Sequence, residues 1–378
     1  MKVGIIGGGI TGLTTALALR KRGIEAVVYE QAASLNEIGA GIWVQPNAMK
    51  VLDWLGIREQ VMTCGIELHR VGITDAQLQP LRKLKGDLVE DAEGSKILAI
   101  HRAKLQRVLF EAAERSCEIY LNKQYLRHEV HPDGITIHFA EGEAEVDILL
   151  GADGINSAVR ASIMPDAPLR NAGQICWRGV AKMPLPEALK NLGQEAWGSH
   201  RRFGFSQIGE ETVYWFAVVD DTVVVGGNTR PKTESLMKLF GGFSPVVREI
   251  IGHTEAAQIH QATLHDLKRL PRWFDNKICL LGDAAHATTP NMGQGACQGM
   301  EDAYFVSQYL AECLPDARLA FQRFEERRRR KVDYVVNTSW RFGKLAHSFF
   351  GQQLLKAIIK LTPERTMRAQ MGSLYHLD

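Results

Sequence analysis

Hydrophobic and polar positions change period several times along the chain. Lys2-Val3-Gly4-Ile5-Ile6 reads as a short apolar strand, and Gly7-Gly8-Gly9-Ile10-Thr11-Gly12 follows it without a gap. Leu13, Ala16, Leu17 and Arg20 then recur at helical spacing, with Gly23 where that helix should stop. Residues 25–30 form a second apolar strand ending in the acid Glu30. Further buried strands are predicted at 146–150 and 278–281, each running into a loop and then a helix. Between 172 and 230 the period drops to two, as in Ile175-Cys176-Trp177-Arg178-Gly179-Val180 and Thr212-Val213-Tyr214-Trp215-Phe216-Ala217-Val218. The pattern predicts an α/β protein. A Rossmann-like nucleotide domain carries an inserted antiparallel-sheet domain, and helices close the C-terminus.

The first thirty residues have a definite chemistry. In a βαβ unit, Gly7 permits the tight turn, Gly9 lets backbone approach a pyrophosphate, and Gly12 allows helix to pack closely on strand. The helix N-terminus offers unpaired N–H groups to the same anion. Glu30 arrives about twenty residues on, placed to accept hydrogen bonds from a ribose. NAD and FAD both carry the ADP moiety, so this motif alone does not choose between them.

Composition narrows the class. The chain has 378 residues, 45% hydrophobic and 23% charged, which suits a globular protein of two domains or one large one. A net charge of +2 gives no global attraction for nucleic acid or anionic lipid. Cys64, Cys117, Cys176, Cys279, Cys297 and Cys313 lie far apart with no CxxC, which reads as reduced thiols and a cytoplasmic location. No signal peptide and no membrane-spanning window is legible, so an integral membrane protein is not expected. His128-Glu129-Val130-His131 lacks metal-site spacing, and no metal is expected. The run Arg327-Arg328-Arg329-Arg330-Lys331 reads as the solvated face of a helix. Residues 354–361 read as an amphipathic helix, docked on the protein body in preference to a membrane interface.

Two later loops complete a pattern. The predicted strand ending at Leu150 leads to Gly151-Ala152-Asp153-Gly154-Ile155-Asn156-Ser157, where Asn156 or Ser157 suits a helix cap. The strand ending at Leu281 leads to Gly282-Asp283-Ala284-Ala285-His286 and on through Pro290-Asn291-Met292-Gly293-Gln294-Gly295 to a helix. With Gly7, Gly9, Gly12 and Glu30, these segments make the chain resemble the single-component FAD-dependent aromatic hydroxylases, the para-hydroxybenzoate hydroxylase group. Within it the chain looks most like the branch of salicylate hydroxylase, urate hydroxylase and zeaxanthin epoxidase-like enzymes. The likeness spans roughly residues 1–345.

The resemblance implies roles residue by residue. Gly7, Gly9, Gly12 and Glu30 would hold the ADP half of a tightly bound FAD, and Arg102 would contact the cofactor. Asp153 and Gly154 belong to the segment that serves both FAD and the reduced nicotinamide. Asp283 would bond the ribityl hydroxyls. Pro290, Gly293, Gln294 and Gly295 would lie along the isoalloxazine, and Gly39-Ala40-Gly41-Ile42 would pass beside it. Because no second GxGxxG occurs, NAD(P)H would be a transient co-substrate with O2. The implied activity is hydroxylation of a small aromatic or heteroaromatic substrate through a flavin C4a-hydroperoxide. A flavin epoxidase shares every motif, and a flavin redox sensor without turnover is the alternative from another class.

Substrate contacts are expected on the alternating strands. Trp177, Arg178, Arg202, Phe203, Phe205, Tyr214 and Trp215 have suitable side chains, but only one face of a strand can look inward. Arg178, Arg202 and Tyr214 are the preferred three, and His286 is the one histidine considered as a base, with a part in the architecture of its loop an equally good explanation. The expected partition assigns 1–72, 98–170 and 275–345 to FAD, 73–97 and 171–274 to substrate, and 346–378 to a C-terminal helical segment. The expected partner is a small molecule, with no nucleic acid, and a weak homo-oligomer is compatible with the sequence.

Overall fold

The computed structural model describes residues 1–34, 40–82, 94–223 and 233–377. Strand Lys2–Ile6 pairs in parallel with Glu25–Tyr29 on one side and Ile148–Gly151 on the other. Glu118–Tyr120 extends the sheet beyond Glu25–Tyr29, while Ile278–Leu280 and the antiparallel Phe274–Asp275 extend it the other way. The central strands are buried on both faces, as crossover connections require. Helix Ile10–Lys21 covers one face and packs on Gly295–Cys313. Gly23 then turns the chain at φ +77°, at the position where the sequence places the end of this helix.

A three-stranded antiparallel sheet, Tyr125–Val130, Ile135–Phe139 and Glu143–Val146, covers the other face. It corrects the strand expected at 146–150. Val146 ends the antiparallel strand, and the parallel strand begins only at Ile148. Asp147 makes the change of sheet: its carboxylate accepts from the Lys2 backbone N–H at 2.6 Å, and its own N–H donates to the Lys2 carbonyl at 2.9 Å. The two sheets then meet so closely that a Cβ on Gly4 would fall 2.9 Å from the Val146 side chain.

The second large sheet runs in the order His260–Leu267, Leu169–Lys182, Thr212–Asp220, Arg201–Gly209, Leu192–Gly198, Arg70–Asp75. It is antiparallel except for its last pair. The expected boundaries at 72 and 170 both fall inside its strands. Helices Thr233–Leu239 and Pro245–Gly252 pack on one face and leave the other toward the nucleotide domain. Ala317–Ala346, a helix of 30 residues, packs on Gly295–Cys313 and is followed by Phe349–Leu361 and Glu364–Tyr375.

Candidate active site

One cavity of about 1130 Å³ runs from the Gly7 turn and Glu30 to the underside of the second sheet. At its first end, Gly7 adopts φ +108°, and a Cβ there would lie 2.5 Å from the Ala152 carbonyl. A Cβ on Gly12 would lie 1.9 Å from the Gly7 carbonyl, so helix and turn can approach only without one. Gly9 borders open space, with nothing within 4 Å of its Cβ position. Glu30 ties the turn to the end of its strand, accepting from the Gly8 N–H at 2.6 Å and the Ala32 N–H at 2.8 Å.

The middle of the cavity carries opposed charges. Arg102 begins helix Arg102–Ala113 behind a His101 cap. Burial lowers its pKa, with Asp283 opposing that shift and Arg178 adding to it. The Asp283 carboxyl opens onto the cavity, yet the protein around it raises its pKa through burial, against the pull of His286 and Arg102. Asp153 also lines the cavity, but its carboxylate turns into the start of helix Ala158–Ile163. It accepts from Ser157 Oγ at 2.6 Å, the Ala158 N–H at 2.7 Å and the Val159 N–H at 3.1 Å. Of the two expected caps, Ser157 is used, accepting from the Arg160 N–H. Gly154, at φ +79°, completes this turn.

Residues 290–295 form the next stretch of wall, with Pro290, Gly293 and Gly295 at the surface. The Gln294 side chain is buried behind the loop and donates to Gln45 Oε1 at 2.5 Å, which leaves only its backbone for the cavity side. Gln45 in turn donates to the carbonyls of Met292 at 2.9 Å and Gly293 at 3.1 Å. Asn47 links this layer to Glu301, and Glu301 meets Arg328 at 2.5 Å and Lys331 at 2.7 Å. The run at 327–331 is therefore not simply a solvated face. Arg328 is 1% exposed and holds Glu301, Asp302 and Gln298 together, while Arg327 and Arg330 do face solvent.

His286 belongs to the same network and not to the cavity wall. Its Nε2 bonds Asp302 at 2.6 Å, and Asp302 also accepts from the Gly282 N–H. Among the described residues it borders a separate pocket of about 170 Å³ beside Trp273 and Arg329. The expectation of a base at His286 is corrected accordingly: the side chain fixes the Gly282–Asp283 turn.

The second sheet closes the far end. Alternation divides the seven expected contacts cleanly. Arg178, Arg202 and Tyr214 line the cavity, whereas Trp177, Phe203, Phe205 and Trp215 pack in the core behind the sheet. Burial pushes the Tyr214 phenol up to about 12, with Arg178 opposing, so it stays protonated at neutral pH. Its ring lies against Gly41, where a Cβ would fall 2.4 Å from Tyr214 Cγ. Close approach at Gly41 thus serves a side chain of the opposite sheet as well as the cavity; Gly39 lies outside the described residues. Arg178 is held above its ordinary value, Cys176 contributing most against burial, followed by Tyr214 and Asp283.

Arg202 is only 1% exposed, and its nitrogens are all engaged. They donate to His347 Nε2 at 2.9 Å, Glu195 at 3.0 Å and Asn291 at 2.5 Å. Burial, then Arg202 and His200, push His347 down to about 2, so it remains a neutral acceptor. Arg202 therefore holds Asn291, next to Pro290, as much as it faces the cavity. Sequence reading missed Trp43, Phe216 and the wall supplied by the last two helices through Ile359, Met367, Met371 and Leu374. Those helices carry no motif that could have announced it.

The FAD binding domain family matches residues 1–339. The chain belongs to this family. It is 35% identical over 346 residues to the aurachin C monooxygenase/isomerase of Stigmatella aurantiaca, covering 90% of this chain and 88% of that protein. The 3-amino-4-hydroxybenzoate 2-monooxygenase of Streptomyces cremeus is 34% identical over 329 residues, 84% of this chain and 79% of its own length. The crystal structure of Klebsiella pneumoniae HpxO complexed with FAD and uric acid superposes with a TM-score of 0.88 at 26% identity, covering 99% of this chain and 96% of that one. The family resemblance drawn from three ordered motifs holds, as does the α/β architecture. This flavoprotein is an FAD-dependent monooxygenase.

Proposed function

We propose that the protein uses NAD(P)H and O2 to hydroxylate a small planar aromatic or heteroaromatic substrate bound beneath the second sheet. The observation that carries this reading is the continuous cavity joining the Gly7 turn and Glu30 to Arg178 and Tyr214 past residues 290–295. Its volume and lining residues fit FAD. Gly7, Gly9, Gly12 and Glu30 would hold the ADP end, Arg102 and Asp283 the middle, and the backbone of Gly293 and Gly295 the ring. Gly154 would border the cofactor, with Asp153 supporting it through the helix it caps. FAD supplies the redox and oxygen-activating chemistry when bound.

The chain's own residues orient the other reactant. The Tyr214 hydroxyl and Arg178 guanidinium are donors, suited to an oxygen substituent that is anionic or carbonyl in character. Phe216 and Val218 give the same face an apolar surface that excludes water. Pro290 and Asn291 close the site from the loop side, with Asn291 held by Arg202. The relatives named as aromatic monooxygenases support hydroxylation over epoxidation. The reading keeps FAD on 1–72, 98–170 and 275–345 and substrate on 73–97 and 171–274, of which 83–93 and 224–232 lie outside the described residues. Six cysteines without disulfides fit a cytoplasmic location, and no described helix is long and apolar enough to cross a membrane. Self-association is expected to be weak.

NADH and NADPH oxidation, followed against a panel of hydroxyaromatic and heteroaromatic acids, amides and quinolones, tests the reading. One panel member should stimulate oxidation and return a product carrying one oxygen atom from labelled O2. Tyr214→Phe should lower kcat/KM for that compound by about tenfold, the worth of one buried hydrogen bond. Product oxygen derived only from water would refute a monooxygenase.

A further inference from the structure

Helix Phe349–Leu361 has two apolar sides, and the site uses only one. Leu355 is buried in a cluster with Trp197 and Ala346, Ile359 lines the cavity, and Gln352 donates to the Gly198 carbonyl at 2.8 Å. Facing away are Phe350, Leu354, Ile358 and Leu361, exposed by 84%, 51%, 47% and 80%. Their spacing of four, four and three places them along one stripe, with exposed Ala357 between them. Of the ten large apolar side chains that are exposed among the described residues, four lie on these 13 residues. That concentration marks an interaction surface, since scattered exposed apolar residues would not cluster so.

The stripe has a charged border of one sign. Lys360 borders it on one side of the same helix, and exposed Arg365 and Arg368 follow on Glu364–Tyr375. Glu364 is the one acid in this stretch and pairs with Arg368 at 2.9 Å. A second copy of the chain laid on this face would set these cations against one another, which disfavours self-pairing. An anionic bilayer suits both features: apolar side chains enter the acyl boundary, and the Lys360 stem reaches the headgroup phosphates.

We propose that helix Phe349–Leu361 docks the protein peripherally on anionic phospholipid membranes through Leu354, Ile358 and Leu361, with Lys360 and Arg365 at the headgroups. Docking is reversible and interfacial. It leaves this helix between the lipid and the cavity that Ile359 lines.

Flotation of the FAD-loaded full chain on a density gradient tests this, with vesicles of phosphatidylcholine alone and of phosphatidylcholine mixed with phosphatidylglycerol. The wild type should float with the mixed vesicles and not with the neutral ones. A double L354E/I358E variant should lose that partition by about tenfold or more, and Lys360→Ala by about fivefold. Retained flavin absorbance shows that each variant is folded. The proposal falls if the wild type does not float, floats equally with neutral vesicles, or is matched by the double variant. It also falls if sedimentation velocity finds a dimer that L354E/I358E dissolves while no vesicle binding occurs.

Discussion

Replacing Arg328 with methionine should destabilise the protein by about 3–5 kcal/mol, the usual penalty for removing one partner of a buried ion pair. Arg328 donates to Asp302 at 2.8 Å, to Glu301 at 2.5 Å and to the Gln298 side chain at 2.7 Å, all within the core. Methionine matches much of the volume but removes the guanidinium from buried Asp302 and leaves buried Glu301 with Lys331 alone. Arg330→Met, two residues along and exposed, should stay within about 0.5 kcal/mol. Urea unfolding of both variants reads the contrast directly, and equal effects would contradict the network. The pH dependence has a definite sign. Burial would raise Asp302, but His286 and Arg328 outweigh it and hold the carboxyl below its ordinary 3.8. A depressed carboxyl contributes stability above the unfolded value and loses it as pH falls through the folded one. The wild type should therefore lose this contribution below about pH 4, and R328M should show less of that acid sensitivity.

Asp283→Asn should weaken FAD binding by about 10- to 100-fold while making the FAD-free protein more stable at neutral pH. The two effects share one cause. Burial raises the Asp283 pKa, so the carboxylate is disfavoured by the fold that surrounds it. A raised carboxyl reduces stability as pH rises from the unfolded value through the folded one, and the amide removes that loss. Only a bound group that donates hydrogen bonds to a charged oxygen makes the aspartate worthwhile. Fluorescence titration with FAD and thermal unfolding of the apoprotein check both halves. Unchanged FAD affinity in the D283N variant would remove Asp283 from the cofactor site.

Much of the nucleotide domain is legible in the sequence because its determinants are local. Gly7, Gly12 and Glu30 act within thirty residues, and the structure gives each a contact that its type explains. Alternation on the second sheet correctly limits the inward set to about half, since a strand face is fixed by period two. Long-range partners are not legible. Arg328 looks like its exposed neighbours because burial depends on Glu301 and Asp302, which another helix brings beneath it. His286 looks catalytic beside Asp283, but helix geometry turns it to Asp302. Asp147 is hidden in an apolar run whose two halves join different sheets.

The most direct measurement is the visible spectrum of freshly purified protein, followed anaerobically during addition of NADH and then NADPH. A flavin spectrum is expected, bleached slowly by one nucleotide and faster when an aromatic ligand is present. A colourless protein that cannot be reconstituted with FAD would contradict the account at its centre.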